Sequence, residues 1–182
     1  MSQKIEFVFS TNTVNSRAKL NFKPIGDKTL QYNFANLNKA ADVFALAKAF
    51  LSISSMTNKK LQKLCYYAKA WYLALYDCNL LTEQFQAWVH GAVQPALYQQ
   101  YKKYGFGDIP LFKNTEVLPE EFLSFAREIY DSYGHLSGDE LEKLNHSEEP
   151  WIKARGNRKP WESCSVNISE EDMKVFYRKM MD

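Results

Sequence analysis

The sequence predicts a mainly α-helical protein, a compact bundle of about six helices with a small N-terminal β extension (α+β overall). Apolar residues alternate over the first 34 positions, a pattern typical of short strands. From Ala40 onward they recur every three or four residues, and a Ser or Thr precedes several of these runs as a helix cap. We therefore expect a β extension over residues 1–37 and a helical domain over residues 38–182.

The N-terminal extension is expected to hold two or three strands. Residues 10–16 separate them with a run of Ser, Thr and Asn that has no period, which favours a loop. The alternating apolar residues are Ile5, Phe7, Phe9, Leu20, Phe22, Leu30, Tyr32 and Phe34.

Two helices follow. The first is predicted from Ala40 to Leu51 and ends at the serine-rich residues 52–55. The second is the most strongly marked element of the chain, because Thr57 can cap it and its apolar positions form an almost unbroken helical series. That series is Leu61, Leu64, Cys65, Ala68, Trp71, Tyr72 and Leu75.

The middle of the chain is less regular. Residues 80–88 are mixed in pattern, and residues 90–93 are predicted to form a turn. Pro95 suits the first turn of a helix that runs to Tyr104 and is closed by Gly105.

Three later helices are predicted from their start signals. Glu120 opens one that carries an apolar stripe as far as Tyr133. Ser137 and Glu140 form a capping box for a short helix, and Ser169 with Asp172 opens the last one. The stretch 145–167 between them is predicted to be irregular.

Composition narrows the class of protein. The chain of 182 residues is 46% apolar and 15% aromatic, which predicts a folded domain, and its formal net charge of +2 does not indicate a nucleic-acid-binding surface. Cys65, Cys78 and Cys164 are too few and too widely spaced for a disulfide framework, so we expect reduced thiols and a cytoplasmic protein. Charged residues interrupt the richest apolar stretch, residues 61–76, so we expect no membrane association.

We expect the chain not to be an enzyme. It carries no phosphate-binding glycine loop, no dinucleotide-binding glycine pattern, no His-Glu-x-x-His and no Gly-x-Ser-x-Gly. The spacing of His90, His135 and His146 places no two of them on one helical face, so neither a metal nor another cofactor is expected.

An alternative function comes from residues 151–161, where aromatic and basic side chains interleave. Such a segment can stack on and neutralise a nucleic acid, as a transcriptional regulator would require, although a solvated loop pinned by two tryptophans explains it as well. The residues concerned are Trp151, Lys153, Arg155, Arg158, Lys159 and Trp161.

Three blocks of the sequence together carry a family signature. Residues 60–74 are similar to the helix pattern L-Q-K-L-x-Y-Y-A-x-A-W-x-L, and residues 85–98 are similar to the passage F-x-A-W-x-x-G-P-V-x-P-x-V-Y. Residues 136–151 are similar to a late element ending in S-H-x-E-x-P-W. In these blocks the chain resembles the Panacea-domain (SocA-like) antitoxins of prokaryotic and phage toxin–antitoxin modules. Ala92 departs from the pattern, because the family usually has a proline there.

The resemblance implies an antitoxin that neutralises a cognate protein toxin by direct binding. It also implies, for one branch of the family, delivery of the toxin to a cytoplasmic protease. Nucleic acid stays open as a partner through the alternative above.

The two later blocks supply the candidate partner-binding residues. We expect the turn and the Trp151 element to pack together into one surface, although Trp88 and His90 could equally serve the core. Residues 1–37 lie outside the family pattern, and we expect them to tune which toxin is bound, because strands with free edges can recruit a partner. The candidates are Trp88, His90, Gly91, Val93, Pro95, Tyr98, His146, Glu149 and Trp151.

Overall fold

The structure, a computed structural model, describes residues 42–118 and 120–181. The strands predicted within residues 1–37 lie outside these residues. The described part of the chain contains seven α-helices, which agrees with the predicted mainly helical class. They are α1 Val43–Ile53, α2 Asn58–Tyr76, α3 Pro95–Tyr101, α4 Glu120–Tyr133, α5 Gly138–His146, α6 Glu149–Arg155 and α7 Glu170–Lys179. Two 3₁₀ turns, Lys102–Tyr104 and Thr115–Val117, lie between α3 and α4.

Helix α2 is the centre of the fold. Thr57 caps it by accepting from the Lys60 N–H at 3.3 Å, as predicted, and Asp77 ends it in the left-handed conformation. Helices α1, α4, α5 and α7 all pack against it. Every residue from 61 to 74 is buried, so α2 is enclosed on all sides and not along one stripe.

Aromatic rings fill the space around α2. The Tyr67 and Tyr133 rings stack with their centroids 4.3 Å apart, and the Trp71 and Tyr177 rings meet edge to face at 5.1 Å. The Trp71 indole N–H donates to the Tyr133 hydroxyl at 2.8 Å, which satisfies a polar atom that burial would otherwise leave unpaired. Rings from α2, α4 and α7 thus share one core.

The predicted helix starts are confirmed where they rest on a local cap. Ser137 and Glu140 form the reciprocal capping box of α5, and Ser169 accepts from the Asp172 N–H at the start of α7. Helix α1 begins at Val43, because the Asp42 carboxylate accepts from the Ala45 N–H at 2.8 Å and caps it there.

The prediction that residues 145–167 are irregular is wrong in part, because α6 lies within them. Glu148 is extended and serves as its N-cap residue, and Pro150 sits in the first turn, where a missing N–H costs nothing. Gly156 ends the helix with a φ of +58°. Seven residues are too few to show a helical period, so the sequence pattern gave no signal.

The described residues also contain strands, in places where the sequence predicted a mixed segment and a turn. Strands β2 (Gln86–Trp88) and β3 (Gly91–Val93) form an antiparallel hairpin in which Trp88 pairs with Gly91. The segment 166–168 continues this small sheet beyond β2, since the Ala87 N–H donates to the Val166 carbonyl at 2.9 Å. A second pair joins β1 (Met56–Thr57) to β4 (Asp108–Ile109).

No helix in the described ranges is both long enough and apolar enough to cross a membrane.

Candidate functional site

The β2–β3 hairpin brings most of the predicted partner-binding residues together. The Trp88 ring meets the Tyr98 ring edge to face at 5.2 Å, and the Trp151 indole donates to the Trp88 carbonyl at 3.2 Å. His146 stacks on Trp151 with centroids 4.1 Å apart. The later block therefore reaches the hairpin through Trp151, whereas Glu149 points outward, 3.9 Å from Lys153.

The predicted residues differ in exposure. We define the Trp88 face as Trp88, His90 and Tyr98, three of the predicted residues that lie in or beside the hairpin and reach solvent. In the full set His90, Tyr98 and Glu149 are exposed, Trp88, Pro95 and His146 are half-buried, and Gly91, Val93 and Trp151 are buried.

A chain of charges borders the Trp88 face. His90 Nδ1 lies 3.1 Å from a Glu142 carboxylate oxygen, and Lys59 Nζ lies 2.8 Å from the other. Lys59 also pairs with Asp139 at 2.7 Å. Partial burial raises the pKa of Glu142, but the hydrogen bonds from Lys59 and His90 outweigh it and hold that pKa below its usual value. Glu142 is thus a carboxylate with two cationic or donor partners.

Two buried side chains take the place of a strand neighbour along β3. The Ala92 N–H donates to Asn145 Oδ1 at 2.7 Å, and Lys63 Nζ donates to the Ala92 carbonyl at 3.0 Å. Gly91 is needed beside them: its φ is +92°, and a Cβ there would lie 2.6 Å from Lys63 Cε. Side chains of α2 and α5 thus hold the hairpin at one edge.

Glu148 supports this arrangement from the side of the buried core. Its carboxylate accepts from Asn145 Nδ2 at 3.1 Å, from the Tyr177 hydroxyl at 2.9 Å and from the Tyr67 hydroxyl at 3.4 Å. Burial raises the pKa of Glu148 to about 7, and burial lowers the pKa of Lys63 to about 7. A continuous set of hydrogen bonds therefore runs from the tyrosine core to the hairpin backbone.

Arg155 occupies the other edge of the hairpin. The residue is 3% exposed, and its Nη1 donates to the Ala87 carbonyl at 3.1 Å. The Ala87 N–H is already bonded to Val166. Both edges of the hairpin are thus occupied by groups of the chain itself at Ala87 and Ala92.

A surface groove of about 380 Å³ lies beside Trp88 and His90. The hairpin lines one side with Gln86, Trp88, Val89 and His90, and residues 163–165 line the other. The groove is open to solvent and continues the Trp88 face.

Comparison with known families identifies the domain that contains the hairpin. Residues 61–152, slightly more than half of the chain, match the family described as antitoxin SocA-like, Panacea domain. The chain belongs to this antitoxin family. The matched residues contain most of α2, the whole hairpin and α5, whereas Arg155 and Tyr177 lie beyond them. Searches of curated proteins and of solved structures gave no match.

In this Panacea domain, much of the basic and aromatic segment 151–161 is engaged internally. Trp151 and Arg155 are buried, and Lys153 pairs with Asp172 at 2.8 Å. Lys159 and Trp161 are the members that remain most clearly available to solvent. The segment is therefore no continuous cationic strip of the kind a nucleic-acid backbone requires.

The described residues contain no group of three or more His, Cys, Asp or Glu side chains that could hold a metal ion.

Sequence reasoning missed the residues that support the hairpin, which are Lys63, Asn145, Glu148 and Arg155. Lys63 gave the only usable signal, because it interrupts an apolar run on a helix expected to be central. A buried lysine needs an acceptor, but the acceptor is a backbone carbonyl 29 residues away, and no sequence pattern identifies it.

We expect Gly91→Ala to destabilise the domain by about 2 kcal/mol or more, since it combines an unfavourable φ with a clash against Lys63 and Asn145. Gly105→Ala is a matched control, because Gly105 also has a positive φ, +56°, but nothing lies within 4 Å of its Cβ position. Urea unfolding of both variants measures the difference. Equal losses for the two variants would contradict a close approach at Gly91.

The buried Glu148 carboxyl predicts a specific pH dependence. Because its folded pKa of about 7 exceeds the ordinary value of 4.5, the folded state holds a proton that the unfolded state loses between pH 4.5 and 7. Its contribution to the free energy of unfolding therefore falls as pH rises through that window.

Glu148→Gln, which preserves shape and an acceptor oxygen, should remove this fall. We expect the variant to gain stability relative to the unmodified chain as pH rises from 4.5 to 7, measured by urea unfolding at several pH values. Burial lowers the pKa of His146, but this residue is present in both proteins, so its effect cancels in the difference. Parallel stability curves would refute the assignment.

Proposed function

We propose that this chain is a cytoplasmic antitoxin that neutralises a cognate protein toxin by direct, non-catalytic binding through the Trp88 face. Membership of the antitoxin family supports a toxin as the partner. Three free thiols, at Cys65, Cys78 and Cys164, fit a reducing compartment. The observation that carries the proposal is a hairpin fixed at both edges that nevertheless presents aromatic and imidazole side chains to solvent.

Preorganisation is the physical reason why a fixed hairpin favours binding of a partner. Association is weakened by the entropy of ordering loops and side chains, and a surface that is ordered beforehand avoids much of that loss. The hairpin backbone is held by Lys63, Asn145 and Arg155 before any partner arrives. Trp88 and Tyr98 also brace one another, so their rings are restricted as well.

The occupied edges decide the mode of recognition. A partner strand added to the hairpin would need free N–H and C=O groups along an edge. Those of Ala92 are bonded to Asn145 and Lys63, and those of Ala87 to Val166 and Arg155. The toxin is therefore recognised at the hairpin by side-chain contacts and not by strand addition.

The border of the face supplies polar selectivity. The side chains that border His90 alternate in charge along Glu142, Lys59 and Asp139, which is the composition of a polar interface rim around an aromatic centre. A rim of this kind orients a partner but contributes little of the binding free energy.

A double variant, His90→Ala with Tyr98→Ala, tests the face without entering the core. We expect it to weaken binding of the toxin about tenfold or more, because interface aromatics are frequent hot spots. The probe is the protein encoded by the neighbouring reading frame, expressed alone to establish toxicity and then with each variant to score growth rescue. Calorimetry of the purified pair gives the affinity.

Phe106→Ala is the matched control, because Phe106 is 99% exposed and lies on the turn after α3. Equal rescue and affinity for the double variant and the unmodified chain would exclude the Trp88 face. Absence of any complex with the unmodified chain would overturn the antitoxin function.

We further propose that residues 1–37 form a separate extension that tunes which toxin is bound. The packed core extends from Val43 in α1 to Tyr177 in α7 within the described residues, which supports folding of residues 38–182 without the extension. Deletion of residues 1–37 should abolish binding of the toxin while the urea midpoint changes little. Full affinity of the shortened chain for the toxin would contradict this proposal.

A further inference from the structure

A second aromatic side chain is presented to solvent by a tightly closed turn, residues 159–162, which we name the Trp161 turn. The Lys159 carbonyl accepts from the Glu162 N–H at 3.0 Å, and the Glu162 carboxylate accepts from the Lys159 N–H at 3.0 Å. Pro160 stands at the second position of this β-turn, where its ring fixes the backbone. Trp161 follows it and is 72% exposed.

Arg155 holds the turn from the inside. Its Nη2 donates to the carbonyls of Lys159 and Glu162, both at 2.8 Å, and to that of Pro160 at 3.3 Å. Since Nη1 of the same guanidinium bonds Ala87 in the hairpin, one side chain fixes the turn relative to the hairpin. The backbone on both sides of Trp161 is thus held in place.

An exposed tryptophan on a fixed backbone is unusual in a surface loop. Exposure forfeits the stabilisation that burial of a large apolar ring would give. The ring packs under the Lys159 ammonium, with Nζ 5.6 Å from the ring centroid, and stays in solvent. A rigid, solvent-facing tryptophan has the properties of an interface anchor.

The turn also adjoins the Trp88 face. Residues 163–165 follow it directly and form the wall of the groove opposite Trp88 and His90. The turn lies beyond residues 61–152, so it is not part of the segment that matches the family.

We propose that the Trp161 turn is a second anchor for the toxin and confers selectivity particular to this chain. Trp161 enters an apolar pocket on the toxin, and carboxylates at the rim of that pocket pair with Arg158 and Lys159. The inference rests on the proposed antitoxin function and adds the chemistry of the partner surface: an apolar pocket with an acidic rim, placed across the groove from the site that receives Trp88.

A protein pocket fits the turn better than a nucleic acid. The Lys159 ammonium lies over the indole, where a base would stack. The two cations of the turn region, Arg158 and Lys159, outnumber its one carboxylate, Glu162. This balance of charge suits a small acidic rim on the partner's pocket.

The experiment compares Trp161→Ala, Lys159→Glu and Phe106→Ala for affinity to the protein encoded by the neighbouring reading frame, by calorimetry with the full chain. Trp161→Ala should weaken binding about thirtyfold, the effect of a typical hot-spot residue. Lys159→Glu should weaken it as well, and the loss should shrink with added salt. Phe106→Ala, an exposed aromatic on another turn, should leave the affinity unchanged. Urea midpoints should stay at the value of the unmodified chain, since Trp161 and Lys159 are both exposed.

The outcomes separate the two proposals. Binding by the unmodified chain with no loss for Trp161→Ala overturns the second anchor and leaves the antitoxin function in place. Loss for Trp161→Ala without loss for Lys159→Glu overturns the acidic rim. Failure of the unmodified chain to bind overturns both. Salt-sensitive binding of single-stranded nucleic acid that requires Trp161, with none to the toxin, replaces the protein pocket with a nucleic-acid site.

Discussion

The position of the hairpin depends on a set of buried polar groups that cannot be satisfied in any other arrangement. Lys63 and Glu148 are enclosed by the core, and each carries a large desolvation cost unless a partner lies within hydrogen-bonding distance. A hydrogen bond to the Ala92 carbonyl offsets this cost for Lys63, and hydrogen bonds from Tyr177 and Asn145 offset it for Glu148. Moving the hairpin would break the bonds of Ala92 to Lys63 and Asn145, and Asn145 is itself bonded to Glu148, so the tyrosine core and the hairpin share one geometry.

This constraint explains why so short a sheet is ordered. Strands of three residues contribute few ladder hydrogen bonds, and an isolated two-stranded hairpin is marginal in water. Here Asn145 and Lys63 complete one edge, and Arg155 and residues 166–168 complete the other. The same bonds that stabilise the hairpin protect its edges from adventitious strand pairing, and what remains for a partner is the set of outward side chains.

The helices could be predicted from the sequence because their signals are local. Thr57, Ser137 and Ser169 cap residues only three positions away, and a helical period reveals itself within one element. The hairpin could not be predicted in this way, because its stability comes from Lys63 and Asn145, which lie 29 and 53 residues from Ala92 along the chain. The Trp88 region was found only through the family resemblance. The sequence alone predicts a surface cation at Arg155, because nothing in its neighbours along the chain indicates that four carbonyl groups surround it.

The hairpin is supported at one edge by Lys63 and Asn145 and at the other by Arg155, and these two supports differ in chemistry. The difference bears on how members of one domain family bind different partners. Lys63 and Asn145 recognise one residue of the hairpin in a space that admits no Cβ at Gly91, so this part tolerates little change. Arg155 instead donates to backbone carbonyls, which every residue type possesses, and its guanidinium stays charged with several donors at any physiological pH. Side chains at positions 157, 158 and 161 can therefore change without loosening the turn that presents them. The hairpin is thus held in a space that admits no side chain at Gly91, whereas the Trp161 turn is held by Arg155 at backbone carbonyls and by the Glu162 carboxylate.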